Sequence, residues 1–185
     1  MSGLVLPFGN LVPKIAGDAF IAANATVIGA VEIGALSGIW FGCVVRGDGN
    51  SIRIGERTNI QDGTVIHVNA ERDGGRGAVG WRTTIGSDIT VGHMALLHAC
   101  TLEDGAFVGM KACVMDGCVV EGQGMVAAGA LLTPGKRVRK GELWAGSPAK
   151  LMRALTTVEA AMFEWTVEHY VERAHSYRAT VARVT

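Results

Sequence analysis

The sequence predicts a mainly β protein: a parallel β-helix of hexapeptide repeats followed by a C-terminal α-helix. Aliphatic residues recur at every sixth position over most of the chain between Ile21 and Val138. The fourth residue after each aliphatic is usually small, and the residue directly after it is often glycine. From about residue 156 the apolar spacing changes to that of an α-helix. Short repeats of this kind are typical of stacked solenoids, in which each repeat buries its apolar side against its neighbours.

The bulk composition limits the class of protein. The chain has 185 residues, of which 49% are hydrophobic and 18% charged, and this favours one domain with a sizeable core and argues against disorder. Its 17 Lys and Arg residues balance 17 Asp and Glu residues. A net charge of zero gives no electrostatic reason to expect a nucleic-acid partner or an anionic membrane.

The predicted location is the cytoplasm. The first residues, MSGLVLPFGN, lack the basic start and the long apolar run of a secretory signal. No apolar run reaches the roughly 20 residues that a membrane span needs. The four cysteines form no CxxC pair and are predicted to be free thiols, with Cys43 and Cys118 filling the core.

Each hexad is interpreted as a short strand and a tight corner, and three hexads make one triangular coil. The aliphatic side chain points into the prism, and the small residue fills the space near the corner. Successive coils then stack at the ordinary strand spacing of about 4.8 Å. The repeated aliphatic positions are Ile21, Val27, Ile33, Ile39, Val45, Ile54, Ile60, Ile66, Ile85, Val91, Leu97, Leu102, Val108, Val114, Val120, Val126, Leu132 and Val138.

Three breaks interrupt the count of six. Residues 45–54 contain three extra positions around GDGNS, and residues 66–85 contain thirteen extra positions over ERDGGRGAVGWRT. Residues 97–102 are one position short. Segments that leave a regular solenoid usually lie at its functional edge, so we expect the site near these breaks.

The predicted domains are a β-helix over residues 1–155 and an α-helix over residues 156–180. The apolar stripe of the helix favours packing on the prism, with binding of a separate partner as the alternative. Thr156 or Thr157 can cap the helix, and because Ala160 follows Thr157 by three residues, no capping box is expected. The stripe consists of Phe163, Val167, Tyr170, Ala174 and Tyr177.

Two histidines that lie 31 residues apart are predicted to stack in consecutive coils. His67 and His98 each follow an inward aliphatic residue on the same face of the prism. His93 occupies the preceding face, around a corner, where one chain cannot easily bring it to the other two. A neighbouring prism can supply it. His169 and His175, on the helix, are interpreted as ordinary surface residues.

Other polar residues share these two columns. Arg46 precedes the stacked pair in one column, and Gln61 and Asp62 lie in the column of His93. Three neutral imidazoles are a preferred ligand set for Zn²⁺, with the fourth position left for water. Thiolates favour a closed structural site, and carboxylates alone favour Mg²⁺ or Ca²⁺. The alternative is that each histidine is a solvated corner residue, but three in register with polar neighbours favour a metal site.

Four segments carry a family resemblance: VRGDGN at 45–50, NIQDGTVIHV at 59–68, VGHMALLHAC at 91–100 and AGSPAK at 145–150. The two histidine segments are specific, whereas AGSPAK has counterparts in many hexapeptide-repeat acyltransferases. In these motifs and their order the chain resembles the γ-class carbonic anhydrase family and its bacterial relatives over residues 11–155.

The resemblance implies a left-handed coil and a homotrimer with three metal sites at the subunit interfaces. It implies that His67 and His98 come from one subunit and His93 from its neighbour. This division agrees with the positions of the three histidines in the repeat.

The resemblance also implies roles for the polar neighbours of the metal. Arg46 and Asp48 form salt bridges across the interface, Asp62 helps to hold them, and Gln61 hydrogen-bonds the metal-bound water. The alternative for the three charged residues is a purely structural role in the trimer, since interface ion pairs need not act in catalysis.

The chain departs from the family pattern in its acidic residues. Active members carry carboxylates near the metal that shuttle protons, whereas this chain has Gly49 and Ala70 at these places. Glu71 and Asp73 in the second break are candidate replacements, with ordinary solvated carboxylates as the alternative. We therefore expect slow hydration, or none.

The predicted function is that of a carbonic anhydrase-like lyase, which hydrates CO₂ reversibly to bicarbonate by a metal-bound hydroxide. Zn²⁺ is the predicted cofactor, with Fe²⁺ or Co²⁺ as alternatives. One alternative function is an acyltransferase or thioesterase acting on acyl-CoA. Another is a non-catalytic metal-binding scaffold. The expected partners are CO₂, bicarbonate and two further copies of the chain, with no nucleic acid and no membrane.

Overall fold

The strands of this protein are short and regularly spaced. The computed structural model describes residues 3–70 and 80–180. Most strands hold two or three residues, and two longer strands of 8 and 11 residues run through a corner. The strands are β1 (Leu4–Leu6), β2 (Lys14–Ile15), β3 (Phe20–Ile21), β4 (Thr26–Ile33), β5 (Gly38–Ile39), β6 (Val44–Ile54), β7 (Asn59–Ile60), β8 (Val65–His67), β9 (Thr83–Ile85), β10 (Thr90–Val91), β11 (Leu96–His98), β12 (Thr101–Leu102), β13 (Phe107–Val108), β14 (Cys113–Val114), β15 (Val119–Val120), β16 (Met125–Val126), β17 (Leu131–Leu132), β18 (Arg137–Val138), β19 (Glu142–Gly146) and β20 (Ala149–Ala154), and the helix is α1 (Thr157–Thr180).

The strands form three parallel ladders, one on each face of a triangular prism. The first face contains β1, the first parts of β4 and β6, β8, β11, β14 and β17. The second face contains β2, the last parts of β4 and β6, β9, β12, β15 and β18. The third face contains β3, β5, β7, β10, β13, β16 and β19, and β20 pairs antiparallel with β19 at its end. The predicted fold class, a left-handed parallel β-helix of hexapeptide repeats with a C-terminal α-helix, is confirmed.

The repeated aliphatic residues fill the interior of the prism. Every one of them is buried, and their small partners Cys43 and Cys118 are buried beside them. Full burial of such an aliphatic side chain is worth about 1.5–3 kcal/mol relative to exposure. Burial also raises the pKa of the Cys43 thiol to about 11, which fits an inert residue of the core. All four cysteines are free.

All three breaks in the repeat fall at the same edge of the prism. Residues 45–54, 66–85 and 97–102 each lead from the first face to the second, in three consecutive coils. We call this edge, at these three levels, the interrupted corner. The edge that leads from the third face into the first keeps the period of six, as at residues 60–66 and 91–97, and we call it the regular corner.

The first break is a β-bulge. Gly29 of β4 pairs with Gly47 of β6, but the next pair joins Val31 to Ile52. The residues between Gly47 and Ile52 therefore leave the ladder, and Asp48 is one of them. Bulges often re-aim side chains beside functional sites.

Helix α1 packs along the third face. Phe163, Val167 and Ala174 are buried, and the ring of Phe163 stacks on that of Phe107 with centroids 4.7 Å apart. Arg57 of the prism forms ion pairs with Asp88 and with Glu168 of the helix. Within residues 3–70 and 80–180, no helix has the length and apolar character that crossing a membrane requires.

The start of the helix contradicts one expectation from the sequence. The Glu159 N–H donates to the Thr156 hydroxyl at 3.2 Å, and the Thr156 N–H donates to the Glu159 carboxylate at 2.9 Å. These reciprocal bonds are a capping box. The expectation that none forms is wrong because the spacing that matters starts at Thr156, not at Thr157.

Candidate metal centre

Two histidines meet at the interrupted corner. His67 ends β8 and His98 ends β11, and the two residues are direct partners in neighbouring coils. Nδ1 of His67 lies 3.3 Å from Nε2 of His98. The hexapeptide count therefore places the two rings side by side.

A carboxylate contacts the outer nitrogen of each ring. Nε2 of His67 lies 3.0 Å from Oδ1 of Asp48, the residue that the β-bulge moves out of the ladder. Nδ1 of His98 contacts Oδ1 of Asp116, which follows β14 in the next coil. Each imidazole is thus held between a carboxylate on one side and the other imidazole on the other side.

Both carboxylates are ionised at neutral pH. Burial alone would raise the pKa of Asp48, but hydrogen bonds from His67 and Arg46 outweigh it and hold that pKa below its ordinary value. Burial acts in the same way on Asp116, and hydrogen bonds from Asn69 and from its histidine partner outweigh it, so its pKa is also lowered. An ionised carboxylate only accepts hydrogen bonds, so the ring nitrogens that face Asp48 and Asp116 carry the hydrogens.

The inner nitrogens of the two rings, Nδ1 of His67 and Nε2 of His98, face each other. They are 3.3 Å apart, a distance at which two ring nitrogens either share one hydrogen or present their lone pairs to one cation. Two nitrogens bound to one tetrahedral Zn²⁺ at 2.0–2.1 Å are about 3.3–3.4 Å apart. The carboxylates fit as well, because metal-binding histidines almost always donate their other N–H to such a group. The donor set therefore fits two ligands of one metal ion.

A third histidine lies at the regular corner. Nδ1 of His93 is 2.8 Å from Oδ2 of Asp62, and its Nε2 is 3.4 Å from the hydroxyl of Tyr170 on α1. Burial, followed by the charge of Asp62, raises the pKa of Tyr170, so this hydroxyl keeps its proton at neutral pH. His93 thus has a carboxylate partner, like the two histidines at the interrupted corner.

Gln61 and Arg46 belong to different corners. The Gln61 backbone N–H donates to the Val91 carbonyl at 2.9 Å, and its buried side-chain amide donates to Oδ1 of Asn59 at 3.1 Å. Arg46 forms an ion pair with Asp48 within the same chain. Gln61 therefore lies on the side of His93, and Arg46 on the side of the stacked pair.

The predicted site residues form two separate groups within one chain. In the part of the chain that the structure describes, no group of three or more His, Cys, Asp or Glu side chains is arranged to hold a metal ion. Within one chain, His93 is thus not grouped with the stacked pair. The group at the interrupted corner is Arg46, Asp48, His67 and His98, and the group at the regular corner is Gln61, Asp62 and His93.

The two positions that lack the expected acids are neighbours in space. A Cβ added at Gly49 would lie 2.7 Å from the Cβ of Ala70, closer than such atoms approach in proteins. A carboxylate cannot be placed at position 49 unless Ala70 moves. Glu71 and Asp73, the candidate replacements, lie outside the described residues.

Three residues at these corners are not among the site residues predicted from the sequence: Asp116, Asn69 and Tyr170. Asp116 does carry a signal, because it shares with Asp62 the second place after an inward aliphatic residue and precedes a glycine. Asn69 lies beyond the period of six, and Tyr170 is predicted only as a packing residue of the helix.

Comparison with known proteins identifies the family. The chain is 48% identical over 162 residues to gamma carbonic anhydrase 2, mitochondrial, of Arabidopsis thaliana, a match that covers 88% of this chain and 57% of that protein. It is 34% identical over 176 residues to a carbonic anhydrase of Geobacillus kaustophilus, covering 95% of this chain and 92% of that protein. The chain belongs to the gamma carbonic anhydrase family. No protein-family model matches it.

Solved structures extend this assignment to the fold. A hexapeptide transferase family protein from Anaplasma phagocytophilum is 45% identical, with a TM-score of 0.86, and the match covers 94% of this chain and 98% of that one. Proteins similar to this gamma carbonic anhydrase family member are thus named for two kinds of reaction, and the fold alone does not choose between them. The chain spans 57% of the length of its Arabidopsis relative.

Proposed function

We propose that this protein is a metal-dependent carbonic anhydrase, which hydrates CO₂ reversibly to bicarbonate at a centre shared between subunits. The observation that carries this proposal is the 3.3 Å approach of Nδ1 of His67 to Nε2 of His98, with the outer nitrogen of each ring on a carboxylate. The names of the relatives in Arabidopsis and Geobacillus support it.

The outer surface of the prism supports a homotrimer. The third face is covered by α1, and the second face presents charged residues such as Lys14, Glu32, Arg53 and Arg137. The first face instead presents an apolar column that the helix leaves uncovered. Exposed apolar surface bordered by polar residues is typical of subunit interfaces. The column consists of Val44, Val65, Leu96, Cys113 and Leu131.

The position of this column relates the two corners to each other. The first face runs from the regular corner, with His93, to the interrupted corner, with His67 and His98. In a closed ring of three prisms that meet along this face, one corner of each chain adjoins the other corner of its neighbour. We therefore assign His93 of the partner subunit as the third ligand.

These three histidines would hold Zn²⁺, with Fe²⁺ or Co²⁺ as alternatives for the same ligands. When bound, Zn²⁺ supplies a Lewis acid that lowers the pKa of water from 15.7 to about 7. The three carboxylate partners hold each ring so that one nitrogen stays free of hydrogen. They are Asp48, Asp62 and Asp116.

The remaining predicted residues, Arg46 and Gln61, would position other groups of the site. Arg46 pairs with Asp48 and so restrains the carboxylate that holds His67. We propose that the Gln61 amide orients the reacting water from the regular corner. Because Gly49 and Ala70 stand where the family resemblance implies acids, we expect the proton to leave through soluble buffer, so that the rate of hydration rises with buffer concentration.

The experiment is metal analysis of the purified protein together with stopped-flow measurement of CO₂ hydration. We expect one metal ion per chain in the wild type, and loss of both metal and hydration in His98→Ala. His169→Ala is the matched control, because this histidine stacks on Trp165 on the helix and should change neither quantity.

The outcomes separate the alternatives. A metal-free protein that transfers acyl groups from acyl-CoA would overturn the proposal in favour of a transferase, the reaction for which the Anaplasma relative is named. Bound metal with hydrolysis of acyl-CoA but no hydration of CO₂ would favour a thioesterase. Bound metal with neither activity would favour a scaffold.

We also propose a cytoplasmic location. Cys43, Cys100 and Cys118 are buried free thiols, which fits a reducing compartment. The Arabidopsis relative is named as mitochondrial, so cell fractionation of the native host tests this proposal directly.

A further inference from the structure

The carboxylate partner of His98 is itself held by the base of the second break. Oδ1 of Asp116 contacts Nδ1 of His98, while its Oδ2 accepts a hydrogen bond from the side-chain amide of Asn69 at 2.7 Å. Asn69 lies two residues after His67 in the chain. A chain of polar contacts thus links the segment that follows one candidate ligand to the other candidate ligand.

We propose that Asn69 and Asp116 are positioning residues, which lock His98 with its Nε2 free of hydrogen and connect this ligand to the base of the loop between β8 and β9. This inference rests on the proposed metal centre, because the orientation of His98 matters there. We call the three side chains of His98, Asp116 and Asn69 the latch.

The contacts of Asp116 differ from those of other polar residues at the corners. Oδ1 of Asp104 accepts from the Ser87 N–H at 2.7 Å, and Oδ1 of Asp18 accepts from the Leu36 N–H at 3.2 Å. In both cases a carboxylate satisfies a backbone donor of a neighbouring coil, which stabilises the corner. Asp116 instead binds two side chains, so its geometry serves the latch rather than the turn.

Both oxygens of Asp116 are occupied, and this restricts its rotation. A carboxylate held at one oxygen can turn about its side-chain torsion, whereas one held at both oxygens keeps its plane. The ring that donates to it then keeps its orientation too, which is the usual role of a residue behind a metal ligand. The Asp116 side chain is only 20% exposed and that of His98 is 30% exposed, so water competes little for these bonds.

Residues at or just after the end of β8 also form hydrogen bonds with residues at or just before the start of β9. The Asn69 N–H donates to the Trp81 carbonyl at 3.0 Å, and the Thr83 hydroxyl donates to the His67 carbonyl at 2.6 Å. The Trp81 ring lies over Gly117, where an added Cβ would be 3.0 Å from the ring. Trp81 therefore packs against the residue next to Asp116.

The first test measures the tautomer of His98 in metal-free protein by NMR of histidine labelled with ¹⁵N. We expect the form with hydrogen on Nδ1 in the wild type, and a mixture of tautomers in Asp116→Ala. Asp104→Ala is the control, because it removes a corner carboxylate that contacts no histidine. A purely structural role for Asp116 would leave the tautomer of His98 unchanged.

The second test measures the affinity for Zn²⁺ by competition with a chelator. Disturbing the outer partner of a metal-binding histidine typically weakens binding by 10–100-fold. We expect this for Asp116→Asn, because its single amide oxygen can accept from His98 or from the Asn69 NH₂ group in its present orientation, but not from both. The swapped pair, Asn69→Asp together with Asp116→Asn, restores a donor and an acceptor at both contacts. It should therefore recover about tenfold in affinity over Asp116→Asn alone.

Failure of the latch and failure of the metal centre are distinguishable. A wild type that binds no Zn²⁺ would overturn the proposed centre, and the tautomer measurement would still test the latch. Wild-type affinity and an unchanged tautomer in both Asp116 variants would overturn the latch and leave the metal centre standing. If Asp116 variants do not fold, Asn69→Ala carries the same test, with Asn24→Ala as the control at a backbone contact.

Discussion

Both edges of the first face hold histidine against carboxylate, but only the regular corner keeps the period of six. At the regular corner the period of six continues through the coil that carries Asp62 and the coil that carries His93, and their side chains meet at 2.8 Å. At the interrupted corner the period fails in three consecutive coils. The regular repeat can thus hold one histidine against a carboxylate. Where two histidines, each with its own carboxylate, lie side by side, the repeat is interrupted.

The physical reason is the direction of side chains. A hexad directs one aliphatic residue inward and leaves only the corner and the outer face for polar groups. Asp48 reaches the ring of His67 because the β-bulge carries it out of the ladder. The prism beneath does not change, since Val45, Ile66 and Leu97 are all fully buried.

The first prediction tests whether the two corners act together across a subunit interface, and it does so by placing an intact copy of each corner on a different chain. His93→Ala and His98→Ala should each bind no metal and show no hydration as pure trimers. When the two variants are refolded together in equal amounts, about a quarter of the interfaces pair an intact interrupted corner with an intact regular corner. We expect metal content and activity to return to about that fraction. No recovery in mixed trimers would place all three ligands in one subunit.

The next largest effect should come from deletions of equal length at the two corners. Removal of residues 49–51 restores six positions between Val45 and Ile54, so we expect a folded prism with 10–100-fold weaker Zn²⁺ binding, because Asp48 no longer reaches His67. Removal of residues 109–111 at the regular corner shifts the following repeat by an odd number and turns its inward residues outward. That variant should not fold.

Circular dichroism and thermal melting check this pair of deletions. A deletion at residues 109–111 that melts like the wild type would show that the regular corner tolerates breaks as well as the interrupted one. The contrast between the two edges would then have no energetic basis.

A third prediction concerns the face between the corners. Leu96 is 39% exposed in the single chain and lies in the apolar column of the first face. Leu96→Glu would bury a carboxylate without a partner at each interface, at a cost of several kcal/mol, so we expect monomers in sedimentation velocity and loss of bound metal. Thr101→Glu on the second face is the control and should remain trimeric. Monomers in both variants would mean that the interface is not the first face.

The regular parts of this molecule could be predicted from the sequence, and the reason is the repeat itself. Counting sixes gives the inward residue of every coil, the direct pairing of His67 with His98, and the placement of His93 at another corner. Register decides all of these, and register follows from the apolar pattern.

The irregular parts could not be predicted in the same way. Asp116 reaches His98, and Asn69 reaches Asp116, through side-chain directions that the count of six does not determine. Tyr170 approaches His93 because α1 packs along the third face, and the helical stripe marks that residue only as apolar. The repeat therefore predicts the pairing of His67 with His98, but it does not predict the contacts that Asp116, Asn69 and Tyr170 make around the histidines.

The smallest predicted effect lies at the start of α1, away from both corners. Thr156→Ala removes the hydroxyl of the capping box and should lower the free energy of unfolding by about 1 kcal/mol in a urea titration. Thr157→Ala is the control, because Thr157 takes no part in these reciprocal bonds, and it should have little effect. Neither variant should change the affinity for Zn²⁺, since the metal centre is assigned to the first face.

The same cap has a predictable dependence on pH. A hydrogen-bonded ion pair with Arg153, followed by hydrogen bonds from Thr156, lowers the pKa of Glu159 from 4.5 to about 2. A carboxyl whose folded pKa is depressed stabilises the fold above its unfolded pKa and loses that contribution as the pH falls through its folded value. The difference in stability between wild type and Glu159→Gln should therefore be constant above about pH 5 and shrink between pH 4.5 and 2. A difference that persists at pH 2 would show that the carboxylate charge does not act at this cap.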